Sequence, residues 1–167
     1  MRHYAIVAAV GMALSGGCAG PAATKDEPRV RVERQLQELY RPLLALVVES
    51  HDSVQDFMKT ALKRDWIFPL ETDQEVKLWL DKAERDLMPR NERMCALVRS
   101  KRDLVDGPDL TPNLKALLEH QDGWRAVHEK WKRDHVPYNW HSPTSFPKRL
   151  QAELEDTVQK LEARLRN

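Results

Sequence analysis

Three histidines and two tryptophans share one predicted helix, and they are the residues of this sequence best suited to chemistry. His120 and His128 flank Trp124 on a helical wheel, each about 40° from it. His135 and Trp131 lie close to the same line. Imidazole can bind metal, carry protons or hold a polar ligand, and indole packs on apolar molecules. The helix therefore presents either a buried structural face or a ligand site.

Spacing along that helix argues against a metal site built from its histidines alone. Two ligands on one helix reach the same ion when they stand three or four residues apart. His120 and His128 are eight residues apart, and His128 and His135 are seven apart, which is about 10.5 Å along the axis. A site shared between helices, for example by His120 with Glu92 or His51, stays open. We predict no bound metal and no cofactor.

Nucleophilic catalysis has little support in the sequence. Cys95 lies on a predicted helix between Met94 and Ala96, and a free cysteine in such a place is ordinarily a small buried hydrophobe. Carboxylates are frequent, but their spacing is typical of solvated helix faces. The sequence contains neither a Cys-x-x-Cys-His haem attachment motif nor a Glu-x-x-His di-iron pair. We therefore predict a protein without enzymatic activity.

Asn91 completes the candidate site. Pro89 opens the helix that carries it, and an amide buried there needs hydrogen-bond partners. Two interpretations of His120 stay open. It is either a core histidine that fixes helix register against groups near Asn91 or on the first helix, or a ligand-binding side chain. For His128 we favour a structural role at the bundle edge. The candidate ligand or polar core residues are Asn91, His120, Trp124, His128 and Trp131.

The elements that must position these residues are helices. Apolar residues recur at helical spacing over four long stretches, which are 36–62, 76–105, 114–131 and 150–165. Pro42 and Pro89 interrupt two of them, so residues 72–105 form either one kinked helix or two helices in line. Thr111 can cap the central helix and Pro112 can start it. The pattern predicts an all-α fold, an antiparallel up-down bundle of four to five helices.

Composition and charge favour one globular domain and exclude a general nucleic-acid binder. Hydrophobic residues make up 41% of the 167 residues and charged residues 32%, as in helix-rich globular proteins. Arg2 is the only charged residue before Cys18, so a chain starting at Cys18 carries 26 basic and 26 acidic residues. A nucleic-acid-binding surface needs an excess of basic residues. We expect no nucleic-acid partner.

The first 18 residues have the order of a cleaved signal peptide. Arg2 and His3 precede an apolar run, 4–14, which is shorter than the roughly 20 helical residues that span a bilayer. The last residue of this run begins the sequence LSGGC, which resembles the lipobox of bacterial lipoprotein precursors. Its leucine, Leu14, stands four residues before Cys18 where the family usually has three. The resemblance implies cleavage before Cys18, diacylglycerol on its thiol and acylation of its new amino group.

This resemblance also sets the predicted domains and the location. Residues 1–17 are a signal peptide, residues 18–27 a lipidated flexible tether and residues 28–167 the helical bundle domain. Two or three acyl chains give stable membrane attachment. The membrane is therefore an expected partner, and the bundle is expected to face the periplasm, at the outer membrane if the cell is Gram-negative.

Two functional hypotheses follow for a lipid-anchored bundle of the cell envelope. The first is a binding or scaffolding module for another envelope protein. The alternative is a small-ligand or metal-binding bundle that uses His120, Trp124, His128 and Asn91. The sequence does not identify the ligand.

The bundle itself resembles a family of small bacterial helical proteins to which no activity is attached. The shared features, in chain order within residues 36–165, are Trp79, Met88-Pro89-Arg90-Asn91, Asp103-Leu104-Val105, Pro112, His120, Trp131 and Phe146-Pro147. The resemblance implies a helical fold and adds nothing about mechanism.

Overall fold

The computed structural model describes residues 27–134 and 142–167, which form four long helices and, within those two ranges, no strand. We label the helices α1 (27–62), α2 (73–100), α3 (Pro112–Asp134) and α4 (Leu150–Arg166). The predicted all-α bundle is confirmed. The predicted signal peptide, the lipid attachment site Cys18 and the histidine His135 lie outside the described residues.

Helix α1 is continuous but changes its winding twice. Its segments are Glu27–Arg34 (α), Gln35–Tyr40 (π), Arg41–Phe57 (α) and Met58–Leu62 (π). The first π segment stands directly before Pro42, whose missing N–H and bulky ring disturb the α-helical pattern. There the N–H of Arg41 bonds the carbonyl of Leu36, five residues back. Lys63, with a left-handed φ of 53°, ends the helix.

Helix α2 also contains a π segment just before a proline. Its segments are Asp73–Lys82 (α), Ala83–Leu87 (π) and Met88–Ser100 (α). Before Pro89, the N–H of Met88 bonds the carbonyl of Ala83. Thr72 caps the helix, since its Oγ1 accepts from the N–H of Glu75 at 3.2 Å. The stretch left open by the sequence is therefore one helix with a π turn, followed by the 3-10 turn Arg102–Leu104.

Contacts between the helices connect early residues of one helix with late residues of the next, as antiparallel neighbours require. The pairs are Glu38–Lys101 and Ser53–Asp86 for α1 and α2, Arg99–Asp122 and Glu84–His128 for α2 and α3, and Arg41–Glu162 and His51–Gln151 for α1 and α4. The cap predicted for α3 is also present, because Thr111 Oγ1 accepts from the N–H of Leu114 at 3.2 Å.

The fourth helix is much shorter than the first. Helix α4 has 17 residues, about 26 Å, whereas α1 has 36 residues, about 54 Å. The bundle is consequently four helices thick at one end and three at the other. None of the helices in the described ranges combines the length and hydropathy that a membrane crossing requires.

Each end of the bundle has its own hydrophobic core. All four helices contribute to the main core, whose buried residues are Val32, Leu36, Leu39, Tyr40, Leu43, Val47, Met94, Cys95, Val98, Leu104, Val105, Leu114, Leu117, Leu150, Leu154 and Leu161. The aromatic core lies at the three-helix end, and its buried residues are Phe57, Trp79, Ala83, Leu87, Met88 and Trp124. The boundary between the two cores is where α4 begins.

Candidate functional site

A cavity of about 380 Å³ lies at the boundary between the main core and the aromatic core. Helices α1, α2 and α3, the loop before α2 and the segment before α4 all contribute to its wall. The described residues that line it are Ser50, His51, Val54, Phe68, Trp79, Leu87, Asn91, His120, Trp124, Ser142, Ser145, Phe146 and Lys148. Small-ligand pockets in proteins have volumes of about 300–1,000 Å³ and a largely apolar lining with a few polar groups. The cavity has both properties.

At the level of the cavity, α1, α2 and α3 each have one polar residue within a buried apolar stripe. The triplets, all with spacings of three and four residues, are Val47-Ser50-Val54, Leu87-Asn91-Met94 and Leu117-His120-Trp124. Ser50, Asn91 and His120 are only 7%, 2% and 9% exposed. We call these three residues the polar layer. Leucine at the same positions would have joined the two cores into one.

The imidazole of His120 is held by the segment before α4. Its Nδ1 lies 2.7 Å from the carbonyl oxygen of Thr144, which can only accept, so Nδ1 carries the proton and Nε2 is an acceptor. Among the described residues, Nε2 has no hydrogen-bond partner. Burial lowers the pKa of His120, against a smaller opposite effect of the Thr144 hydrogen bond. The hydrogen bond that the sequence led us to expect with groups near Asn91 or on α1 is made instead with Thr144.

Asn91 is 2% exposed as a residue and lines the cavity, and its side-chain amide makes no hydrogen bond to any described residue; unlike the amide of Gln121, it is not among the fully buried polar groups without a partner. Buried amides in proteins are almost always hydrogen-bonded. One left without a partner costs about 1–3 kcal/mol. The amide of Asn91 therefore has unused donor and acceptor capacity on the surface of the cavity.

Aromatic rings form much of the remaining wall. The indoles of Trp79 and Trp124 stack with centroids 6.0 Å apart and planes inclined by 15°. Phe68 meets Trp79 edge-on at 5.2 Å and 79°. On the other side, His120 contacts Trp124 at 5.6 Å and Phe146 at 5.4 Å. We call these five rings the aromatic wall.

The π turn of α2 brings Trp79 onto the cavity face. Trp79 and Leu87 stand eight residues apart, and both line the cavity. An α turn takes about 3.6 residues and a π turn roughly one residue more, so one turn of each covers close to eight residues. In an unbroken α-helix the same step would overshoot two turns by about 80°. The π segment Ala83–Leu87 thus aligns an indole with the polar layer.

The segment before α4 closes the cavity where the fourth helix is missing. It packs tightly on α3 at Gly123, where a Cβ atom would lie 3.1 Å from Ser142 Oγ and 3.2 Å from Pro143 Cδ. The backbone can approach so closely because position 123 has no side chain. Phe146 and the carbonyl of Thr144 are held over the polar layer by this contact.

The remaining two sequence candidates lie outside the cavity. His128 is 5% exposed, and its Nε2 lies 2.7 Å from Glu84 Oε1 on α2. Trp131 is half-buried, packs against the aromatic core and has its ring 5.5 Å from that of His128. The structure thus brings together Asn91, His120 and Trp124, and it gives His128 a contact between helices.

The described part of the chain offers little support for metal binding or for a reactive thiol. No group of three or more histidine, cysteine, aspartate or glutamate side chains in residues 27–134 and 142–167 could hold a metal ion. Cys95 is fully buried in the main core, and burial raises the pKa of its thiol to about 11. Its Sγ lies 3.8 Å from the carbonyl of Leu117, to which it donates. At neutral pH this thiol stays protonated.

Several lining residues were not predicted as site residues. Ser50 carried a usable signal, because it is the one polar residue in an otherwise apolar stripe of α1. Trp79 looked like an ordinary core residue. Phe68, Phe146 and Lys148 lie in connecting segments without periodicity, so no pattern linked them to a cavity.

No family model matches this chain, and neither a curated protein nor a solved structure matches it. Its function must therefore be inferred from the geometry of the cavity.

Proposed function

We propose that this protein is a binding module that holds a small, largely apolar molecule between its two cores. The observation that carries this proposal is the buried amide of Asn91, which faces a cavity of about 380 Å³ without a hydrogen-bond partner among the described residues. A mere packing defect would be lined by apolar side chains, and such cavities stay empty. Here Ser50 and the Nε2 of His120 add further polar capacity.

The same proposal places the module on a membrane of the bacterial envelope. Support comes from the first 18 residues, whose apolar run and LSGGC sequence resemble a lipoprotein precursor with Cys18 as the lipidated residue. Acyl chains on Cys18 would tether the bundle through residues 18–27. A tethered binding domain keeps its ligand close to the bilayer, where apolar molecules partition.

A cavity-filling substitution tests the binding function. Val54 lines the cavity from α1, whereas Val48 lies on the same helix, is also half-buried and does not line it. We expect purified wild-type protein and the Val48→Phe variant to bind at least one small apolar molecule with Kd below about 100 μM, about −5.5 kcal/mol. The Val54→Phe variant should bind that molecule at least about tenfold more weakly, because the larger ring takes up part of the space.

Isothermal titration calorimetry with a panel of aromatic and aliphatic molecules measures the affinities of the wild-type protein and the two variants. Native mass spectrometry of protein purified from its own membrane would also detect a retained ligand. Absence of binding by the wild-type protein, or equal binding by the Val54→Phe variant, would rule out the proposed function.

A scaffolding role toward another envelope protein is the second candidate. One observation favours it, the exposed indole of Trp66, which is 55% accessible in the loop after α1. Its ring lies 5.9 Å from the guanidinium of Arg64. Tryptophan and arginine are enriched at the centres of protein interfaces. Cross-linking from position 66 in whole cells would capture such a partner, and a Trp66→Ala variant should lose it.

A further inference from the structure

The wall of the cavity is not only apolar but largely aromatic. Its rings form a continuous series in which Phe68 meets Trp79, Trp79 stacks on Trp124, Trp124 contacts His120 and His120 contacts Phe146. Centroid distances along this aromatic wall run from 5.2 to 6.0 Å. Aromatic rings gain about 0.5–1.5 kcal/mol per pair from offset or edge-on contact, beyond the burial of area. Such a wall favours a flat conjugated molecule over a flexible chain.

The polar groups of the cavity fix which hydrogen bonds a ligand must make. Because Nδ1 of His120 donates to Thr144, the ring offers only the lone pair of Nε2. That atom needs a donor. Asn91 offers both a donor and an acceptor from its buried amide, and neither is used by a described residue. A plain hydrocarbon would leave both groups unsatisfied, at a cost of about tenfold or more in affinity for each.

The charges of the lining residues restrict the class of ligand further. Among the described residues that line the cavity none is acidic, whereas Lys148 and His51 are exposed at its edge. A cationic ligand would therefore be buried without a counter-charge, which is strongly unfavourable. A neutral molecule, or an anion whose charge stays near Lys148, meets no such obstacle.

We propose that the ligand is a neutral or anionic planar aromatic molecule bearing an O–H or N–H group that donates to Nε2 of His120. Its ring system lies against the aromatic wall, and a polar edge next to the donor engages the amide of Asn91. This inference rests on the proposed function, since it names the ligand class of the same cavity.

Three probes test the ligand class on wild-type protein. 2-Naphthol has a flat ring and a donor, 2-methoxynaphthalene has the same ring without a donor, and decanoate is an aliphatic anion. Calorimetry should give 2-naphthol a Kd at least about tenfold lower than that of 2-methoxynaphthalene, with decanoate weakest. Equal binding of the two naphthalenes, or tightest binding of decanoate, overturns the ligand class but leaves the binding function standing. Failure of every probe and of the wider panel overturns both.

Two variants test whether His120 causes the difference in affinity between the two naphthalenes. His120→Phe keeps a ring against Trp124 and Phe146 but has no acceptor, so the ratio of the two naphthalene affinities should fall to near one. His128→Phe is the matched control, because it changes a histidine of the same helix outside the cavity, and the ratio should persist. A ratio unchanged in His120→Phe overturns the role of Nε2.

Asn91→Leu provides a second readout that does not disturb the Thr144 contact. It should weaken 2-naphthol binding about tenfold, because it removes the amide that faces the ligand, and circular dichroism should show that the variant keeps its helical fold. Gln121→Met is its control. That amide is fully buried without a partner among the described residues, but it does not line the cavity, so binding should not change. Full affinity in Asn91→Leu overturns the role of the amide.

Discussion

The side-chain amide of Gln121 is a residue-scale departure from good packing in the described part of this protein. Gln121 is fully buried on α3, and both atoms of its amide lack a partner among the described residues. A polar group in that state opposes folding. Asn91 differs, because it lies on the surface of the cavity.

We predict that Gln121→Met stabilises the protein by about 1–2 kcal/mol, because methionine fills similar space without an amide to desolvate. Urea unfolding followed by circular dichroism measures the change. Gln37→Met, on an exposed position of α1, is the control and should change the free energy of unfolding by less than about 0.5 kcal/mol. A destabilised Gln121→Met variant would show that the amide has a partner after all, such as a buried water molecule.

His120 predicts an acid-sensitive component of stability. Burial lowers the pKa of His120 in the folded state, so between that value and the unfolded value of about 6.5 the unfolded chain binds more protons. Stability is therefore fully present above pH 6.5 or so and is lost as the pH falls toward the folded pKa. The free energy of unfolding should drop more between pH 7.5 and 5.5 in the wild type than in His120→Phe.

The comparison with His120→Phe removes the contribution of other titrating groups, which both proteins share. Carboxylates whose pKa is lowered in the folded state, such as Glu38 and Glu84, lose their contribution only below about pH 4.5, outside this window. Equal pH dependence in the two proteins would contradict the assignment to His120.

At the scale of single residues the sequence predicted three of the thirteen described residues that line the cavity. Asn91, His120 and Trp124 were identified because polar or indole side chains stood out within apolar helical stripes. His128 and Trp131 share the same stripe, yet the helix carries them past the cavity toward Glu84. The ring of Phe146 and the carbonyl of Thr144 come from a segment without periodicity, so no pattern linked them to His120.

At the scale of elements, the sequence predicted the helices and the cap of α3 but not the π turns. Thr111 and the two prolines marked a clear boundary and two interruptions. Propensity and hydrophobic period do not distinguish a kinked α-helix from a π turn, because both leave the same residue types on the buried face. The π turn at Ala83–Leu87 matters because it decides which residues of α2 meet the cavity.

Adding one residue to that π turn should disrupt the aromatic core. Position 85 is a suitable site because the side chain of Arg85 is 80% exposed and pairs with Asp81 at the surface. With an alanine inserted after Arg85, Trp79 would turn by about 100° relative to the present Leu87. Removing an indole from a core typically costs about 3–5 kcal/mol. Urea unfolding monitored by tryptophan fluorescence should reveal a loss of this size.

Arg85→Ala is the control for the insertion, since it removes the side chain at the same position and keeps the number of residues between Trp79 and Leu87. An exposed ion pair contributes about 0–1 kcal/mol, so the substitution should be nearly neutral. If the insertion were no more costly than the substitution, the number of residues in the π turn would not set the position of Trp79.

At the scale of the whole molecule, the cavity results from the length of α4. Four helices enclose the main core, and where α4 is absent a connecting segment replaces it and leaves space. The sequence predicted the bundle but not this change in thickness, which depends on where residues 142–149 run. Gly123 was the local hint, because it allows that segment to approach α3.

The proposed lipid tether belongs to the same scale, and substitutions of the two cysteines test it. We expect the wild-type protein to sediment with membranes and to incorporate labelled palmitate, whereas Cys18→Ser should do neither. Cys95→Ser is the matched control, because that thiol is buried in the main core and inaccessible to acylation. Globomycin should also cause the precursor to accumulate. Palmitate incorporation by Cys18→Ser would contradict the lipoprotein resemblance.

The parallel indoles of Trp79 and Trp124 have an optical consequence. Two identical chromophores with centroids 6.0 Å apart couple their electronic transitions, so this pair should produce a split ultraviolet circular dichroism band that isolated tryptophans lack. A molecule inserted beside them would alter the splitting. Occupancy could then be followed on unlabelled protein by spectroscopy, without a reporter dye competing for the same space.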